Sequence, residues 1–203
     1  MTTPLPVSLT PSDLDASVRI QSAAFQDDPL WVYLLPDPQR RAAALRRCFT
    51  PVFATSIRAG QVYGAGTPLE GVAIWSVPGS TTPLSAALPS IPGFLKIALS
   101  PFVIRFRLAF PIFAKFDEFK QRYVHGPHYY LNTISVAPEA QGKGLASKLI
   151  RPFLAEADQR RLPAYTETMT PSNVGLYTHY GFKVMEEYRF PGTDLTLWSF
   201  LRA

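Results

Sequence analysis

The stretch from residue 129 to residue 157 restricts the fold more than any other part of this chain. "YYLNTISV" (129–136) is built of β-branched and aromatic residues, the composition of a strand. The polar stretch "APEAQGKG" (137–144) follows, and then Leu145, Leu149, Phe153 and Ala157 recur every four residues. That spacing places one apolar stripe along a helix. A strand that turns through glycines into an amphipathic helix buries both apolar faces only if the helix packs back on a sheet, so the chain is predicted to be a layered α/β protein. Pro152 falls inside the helix and removes a backbone donor, so a kink is expected there.

The alternation continues downstream. "LPAYTETM" reads as a strand, "SNVGLYTHY" as a short helix closed by Gly181, and "FKVMEEYRF" and "TDLTLWSFL" as two further strands. Upstream, Thr10 is placed to cap a helix with Pro11 at its first position and Asp13 in its first turn, followed by Leu14, Val18 and Phe25 near helical spacing. "QDDPLWVYLLPDP" reads as a loop or a short helical piece. A second helix is predicted over about residues 38–59, with Leu45, Phe49, Val52 and Phe53 on one side and a stop near Gly60. "QVYGAG" and "EGVAIWSVP" form a predicted hairpin around Thr67 and Pro68.

Residues 79–127 are apolar and repeatedly cut by proline, which predicts short amphipathic helices packed on a sheet. Lys96, Arg105, Arg107 and Lys115, with Pro92, Pro101 and Pro111, argue against stable membrane insertion of this segment. It could instead wall a substrate pocket. Neither a repeat nor a linker divides the sequence, so residues 1–203 read as a single domain.

Composition narrows the function. With one cysteine, Cys48, an internal disulfide is impossible, and no spacing of ligand residues suggests a metal site. Cys48 sits beside Phe49 in a predicted helix, the setting of a structural thiol rather than a nucleophile. The first residues lack a basic stretch followed by an apolar one, so no secretory leader is expected. Both points suit the cytoplasm. The formal charge is +5, from 20 Lys and Arg against 15 Asp and Glu. No nucleic-acid motif accompanies it, and a positive field of this size suits an anionic small ligand.

The turn at 141–147 is where such a ligand fits. Backbone N–H groups at the start of a helix converge on one spot, and the helix dipole adds positive charge there. Gly142 and Gly144 permit close approach, Lys143 adds a charge and Ser147 a hydroxyl. The turn is not a nucleotide-triphosphate loop, because Ala137 stands where that motif has glycine and Gly144 where it has Ser or Thr.

"QGKGLA" (141–146) matches the pattern Q/R-x-x-G-x-G/A, and "NVGLYTHYGF" (173–182) matches N-x-x-x-x-Y-x-x-x-G-F. On these two motifs, in the right order over residues 128–203, the chain resembles the GNAT superfamily of N-acetyltransferases. Within it, "AAFQDDP", the loop and helix through "LPAYTET", and Pro152 are most similar to the puromycin N-acetyltransferase-like members. The resemblance implies a central mixed, mostly antiparallel sheet of about seven strands flanked by helices and splayed at the acetyl-CoA site. Residues 128–203 would be the acetyl-CoA-binding core and 79–127 a family-variable helical segment.

The resemblance also implies direct transfer of acetyl from acetyl-CoA to a primary amine, without an acyl-enzyme. The backbone of Ile134, Ser135 and Val136 would pair with the pantetheine arm, and Gln141, Gly142, Lys143, Gly144, Leu145, Ala146 and Ser147 would hold the pyrophosphate. Asn173 would bind the coenzyme arm and Tyr177 would protonate the departing thiolate. By spacing alone, Asn173, Leu176, Tyr177 and Tyr180 form one helical face, equally the pattern of a core stripe, and Tyr180 is read as core.

The general base is open. Glu167 is a carboxylate among β-formers and would serve as base, as a contact for a cationic substrate, or as an edge salt bridge. Asp28 and His128 are weaker candidates for the base. Phe25, Asp28, Trp31 and Tyr33 are expected to contact the acceptor. The expected partner is a small-molecule amine, with neither nucleic acid nor metal, in a monomer or homodimer. A catalytically silent acyl-CoA-binding module and an enzyme acting on a protein or peptide amine are the alternatives.

Overall fold

The computed structural model describes residues 6–80 and 103–203. Seven strands form one sheet: β1 Val7–Ser8, β2 Val62–Ala65, β3 Gly71–Ser76, β4 Tyr129–Val136, β5 Ala164–Thr168, β6 Lys183–Arg189 and β7 Thr196–Arg202. Their spatial order is β1-β2-β3-β4-β5-β7-β6. Neighbours run antiparallel except β4 and β5, which are parallel. The mixed, mostly antiparallel sheet flanked by helices is the architecture expected above.

Local chemistry explains the first three helices. Thr10 precedes a single 3-10 turn, Pro11–Asp13, that runs into α1, Leu14–Ala24. The Thr10 N–H and hydroxyl both donate to Asp13 Oδ2, each at 2.8 Å, so the turn is held from both ends. Asp-Pro pairs start the next two helices. Asp28 caps α2, Pro29–Leu34, and Asp37 caps α3, Pro38–Arg58, with each carboxylate accepting from two backbone N–H groups and each proline at the first helical position. The aromatic stretch after residue 26 is therefore a short helix.

The apolar segment corrects the sequence reading in part. Residues 103–123 form one long helix, α4 Val103–Tyr123, with Pro111 inside it, where several short helices were expected. Pro111 lies on the exposed side, where water can bond the carbonyl that loses its donor. Residues 81–102 lie outside the described residues. Among those described, no helix is long and apolar enough to cross a membrane.

Two apolar clusters hold the layers. Under α5, Leu145–Arg160, the four residues expected from the periodicity are all buried: Leu145, Leu149, Phe153 and Ala157. Trp75 stacks on Phe153 at 4.9 Å, and its indole N–H donates to the Leu149 carbonyl at 3.0 Å. Pro152 is buried within α5, which continues to Arg160. A second cluster joins Leu30 and Leu34 of α2, Ile112 and Phe119 of α4, and Phe190, Leu195 and Leu197 beside the β6–β7 hairpin. That cluster sets α2 and α4 against the β5 side of the sheet.

Candidate active site

The central parallel pair is short. β4 and β5 pair only at Tyr129↔Ala164, Tyr130↔Tyr165 and Leu131↔Thr166, although β4 continues to Val136 and β5 to Thr168. Beyond Leu131 the strands part. The far edge of β4 stays pinned to β3, from Thr133↔Ile74 to Val136↔Gly71, and the register shifts at Ile74/Trp75 so that Asn132 is the extra residue of a bulge. The β5-facing backbone edge of residues 133–136 is therefore left without a strand partner among the described residues, and it includes the backbone of Ile134, Ser135 and Val136.

Helix α1 fixes that edge. Gln21 is fully buried; its Nε2 donates to Thr133 Oγ1 at 2.8 Å and its Oε1 accepts from Ser135 Oγ at 2.7 Å. Both hydroxyls point into α1, so the groups Ser135 offers the open edge are its backbone ones.

The edge leads into the glycine turn. A 3-10 turn, Pro138–Ala140, is followed by Gln141, Gly142, Lys143 and Gly144, all exposed, before α5 begins at Leu145. Gly142 has φ 79° and Gly144 φ 75°, and a Cβ at either would meet nothing within 4 Å. The glycines are thus required by backbone conformation, and the space beside them is open. Leu145 anchors the turn in the core. Lys143 Nζ is 3.2 Å from Glu70 Oε1, so the lysine leans on β3's approach and the first N–H groups of α5 face outward. Ser147 Oγ lies 2.7 Å from the Tyr180 hydroxyl.

Across the splay, α6, Ser172–His179, carries the second motif. Gly181 has φ 84° and follows the helix with Gly181 N–H donating to the Thr178 carbonyl and Phe182 N–H to the Tyr177 carbonyl, a Schellman ending. This ending locks Tyr177 against Phe200 and Phe182, with ring centroids 5.2 and 5.9 Å away. Tyr177 is buried, and its hydroxyl pKa is pushed up to about 12, mainly by burial, with the Thr166 hydroxyl opposing and Glu167 reinforcing. Asn173 Nδ2 donates to Thr168 Oγ1 at 3.1 Å, tying α6 to the end of β5.

A scan for known families matches residues 108–182 to the acetyltransferase (GNAT) family, a stretch that contains both motifs and the splayed strands. The chain is 32% identical over 166 residues to an uncharacterized N-acetyltransferase of Schizosaccharomyces pombe, covering 78% of this chain and 66% of that one. The chain belongs to the GNAT family of acetyltransferases. Solved structures agree on the GNAT fold at low identity. A histone acetyltransferase and related acetyltransferase from Corynebacterium glutamicum superposes with TM-score 0.65 at 21% identity over 100% of this chain and 96% of that one. Arylalkylamine N-acetyltransferase 2 of Aedes aegypti gives 0.61 at 15% over 97% of each. The polyamine N-acetyltransferase of Drosophila melanogaster, which forms N-acetylagmatine, gives 0.61 at 12% over 96% of each.

Across the splay, the β5 side presents side chains rather than backbone. Glu167, on β5 one residue past the last β4 pairing, has its pKa pushed up to about 7, first by burial, with the nearby phenols of Tyr130 and Tyr165 and the charge of Lys120 working against it and Asp117 with it. No ion pair to Glu167 within salt-bridge distance forms among the described residues.

The four expected acceptor contacts divide. Phe25 and Trp31 both pack edge-on against Phe49, at 5.4 and 5.6 Å, and Tyr33 packs against the second apolar cluster. Asp28 accepts from the Leu30 and Trp31 N–H groups and from Thr170 Oγ1 at 3.1 Å. Its carboxylate caps α2 and ties it to the end of β5.

His128 Nδ1 lies 2.8 Å from the Gly126 carbonyl in a local turn. Burial raises the Cys48 thiol to about 11, which leaves it protonated and poorly nucleophilic. The residues sequence reasoning missed are Gln21, Tyr130, Asn132, Tyr165 and Ser199. Only a fold that brings α1, β4, β5 and β7 together puts them at the site.

Proposed function

We propose that this protein transfers acetyl from acetyl-CoA directly to the primary amine of a small molecule. The observation that carries the reading is the open backbone edge of β4, which leads through the 3-10 turn Pro138–Ala140 into the left-handed glycine turn at the start of α5. An extended amide-bearing arm fits that edge as an added strand, and a pyrophosphate fits the outward N–H groups of residues 142–147. Space beside Gly142 and Gly144 supports the fit, because nothing lies where their Cβ atoms would be.

Acetyl-CoA supplies the activated thioester; the remaining work falls to this chain. An N–H of β4 beyond the bulge polarises the thioester carbonyl. Glu167, with a pKa near neutrality, takes the proton that the amine loses as its nitrogen bonds to the acetyl carbon. The carbon–sulfur bond breaks, and the Tyr177 hydroxyl donates its proton to the sulfur. At about 12 the Tyr177 hydroxyl stays protonated at neutral pH and has a proton to give. Asn173 holds the end of β5 beside the coenzyme arm. Phe25, Trp31 and Tyr33 contribute the outer acceptor wall.

Agmatine and arylalkylamine acetyltransferases among the structural relatives support a small amine as acceptor. The puromycin-type members remain the subgroup we place nearest, on the sequence stretches quoted above. The test is acceptor-dependent release of free thiol from acetyl-CoA across primary amines that include agmatine and phenethylamine. Release that requires the amine is the expected result. Tight coenzyme binding without turnover of any amine would make the protein a silent binder.

A further inference from the structure

Six side-chain polar atoms are buried without a hydrogen-bond partner among the described residues, and four of them are Asn132 Oδ1, Tyr165 Oη, Glu167 Oε1 and Ser199 Oγ. The four residues sit together on the sheet. Tyr130 and Tyr165 are paired across β4 and β5 with ring centroids 5.9 Å apart. Two residues further along each strand, on the same face, come Asn132 and Glu167, where the strands begin to part. Ser199 is the β7 partner of Glu167. Tyr165 lies near enough to Glu167 and Ser199 to act on both, but no pair among the four atoms reaches hydrogen-bond geometry; native interiors rarely leave such atoms unpaired, so the patch suits a ligand that supplies the missing donors.

The chemistry of the patch is one-sided. Asn132 Nδ2 donates to Ser76 Oγ at 2.8 Å and to the Tyr130 carbonyl at 3.1 Å. The carbonyl can only accept, which fixes the amide so that Oδ1 is the free end. Glu167 offers carboxylate oxygen. Two hydroxyls, of Tyr165 and Ser199, can accept as well. On α4, Lys120 stands over the Tyr130 ring at 4.4 Å, and Asp117 acts on Glu167 with the opposite sign to Lys120. Lys120 acts on Glu167 more strongly than Asp117 does, and Glu167 is the carboxylate among the four residues of the patch.

We propose that Asn132, Tyr165, Glu167 and Ser199 form the recognition site for a primary ammonium group, which enters the splay between β4 and β5, is bound there as a cation, and gives a first proton to solvent before the neutral amine attacks and Glu167 takes the second. This rests on the reaction proposed above and specifies how its acceptor is chosen. A primary ammonium brings three N–H donors to a set of acceptors. Each added N-substituent removes one donor, and an alcohol brings only one. Secondary and tertiary amines and alcohols therefore leave buried acceptors unpaired, which is the strong form of discrimination.

The test uses the smallest ammonium probes, so it does not depend on knowing the acceptor. Protein in excess coenzyme A, at about pH 8 where alkylamines are cationic, is titrated with methylammonium chloride and with tetramethylammonium chloride, followed by NMR of the small ion. Methylammonium is expected to bind at least about tenfold more tightly. Ser199→Ala and Tyr165→Phe are each expected to weaken it about three- to tenfold while coenzyme A affinity stays unchanged.

Thermal midpoints of both variants should stay close to the parent's, since neither removed hydroxyl makes a well-formed hydrogen bond within the protein. Equal binding of the two ions, no methylammonium binding, or variants that bind methylammonium like the parent would each overturn the proposal. The amine panel separates this from the reaction itself. Turnover of amines without ion discrimination defeats the recognition site alone; discrimination without any turnover supports the site and defeats the proposed reaction.

Discussion

The two sides of the splay are built from different material. On the β4 side the surface offered to a ligand is main chain: the edge of residues 133–136 and the N–H groups behind Gly142 and Gly144. On the β5 side it is side chain: Glu167, Tyr165 and Ser199, with Asn132 reaching across. A backbone surface can bind only what is common to every substrate pair, the amides and phosphates of a coenzyme. A side-chain surface can be changed one residue at a time, which suits it, on the function proposed above, to choosing an acceptor and taking a proton.

The contrast can be broken from either side. The largest effect expected is from Gly142→Asp, which forces a side chain into left-handed backbone and sets a carboxylate beside a pyrophosphate. Coenzyme A affinity by calorimetry should fall at least about 100-fold, with turnover falling in step. Glu167→Gln should lower kcat about 100-fold or more with coenzyme affinity unchanged, read from steady-state kinetics beside the same calorimetry. Tyr177→Phe belongs with it: about 10- to 100-fold lower kcat and an unaltered coenzyme dissociation constant. If either of these two variants loses coenzyme binding instead, the division of labour is wrong.

Gln21→Leu tests the support beneath the backbone side. It leaves the Thr133 and Ser135 hydroxyls without their partner, so a loss of about 2 kcal/mol in denaturant unfolding is expected, with a few-fold weaker coenzyme A and little change in the amine KM.

Much of the backbone side was legible in the sequence. Glycines that must adopt positive φ, a polar turn between a β-branched run and a four-residue apolar repeat, and a tyrosine placed four residues before a C-capping glycine are all local patterns. Gly142, Gly144, Leu145, Leu149, Phe153 and Gly181 occupy the conformations or the buried positions their spacing implied.

The β5 side was not legible for a physical reason. Ser199 meets Glu167 only through strand pairing between β5 and β7, and Gln21 meets Thr133 across more than a hundred residues; no periodicity records either contact. For Asp28 a sequence shows the carboxylate but not the three donors from which it accepts. The long helix α4 was missed because prolines were weighted as breaks, whereas Pro111 is tolerated on the exposed side.

Glu167 also leaves a trace in stability. Its folded pKa is raised above the ordinary carboxylate value, so the folded state holds the proton more tightly than the unfolded one. Stability should therefore fall as pH rises from about 4.5 through about 7, then stay level. At pH above that window Glu167→Gln should be the more stable protein, by up to about 3 kcal/mol, and below it the two should be alike. Denaturant midpoints across pH measure this smaller effect.

The most direct measurement is kcat/KM against pH for the parent and for Glu167→Gln, using an amine the enzyme turns over. The parent should show a limb that rises with pH about a midpoint near 7, and the variant should lack it while binding coenzyme A as before. The same limb in both proteins would contradict the assignment of Glu167 as the group that takes the amine's proton.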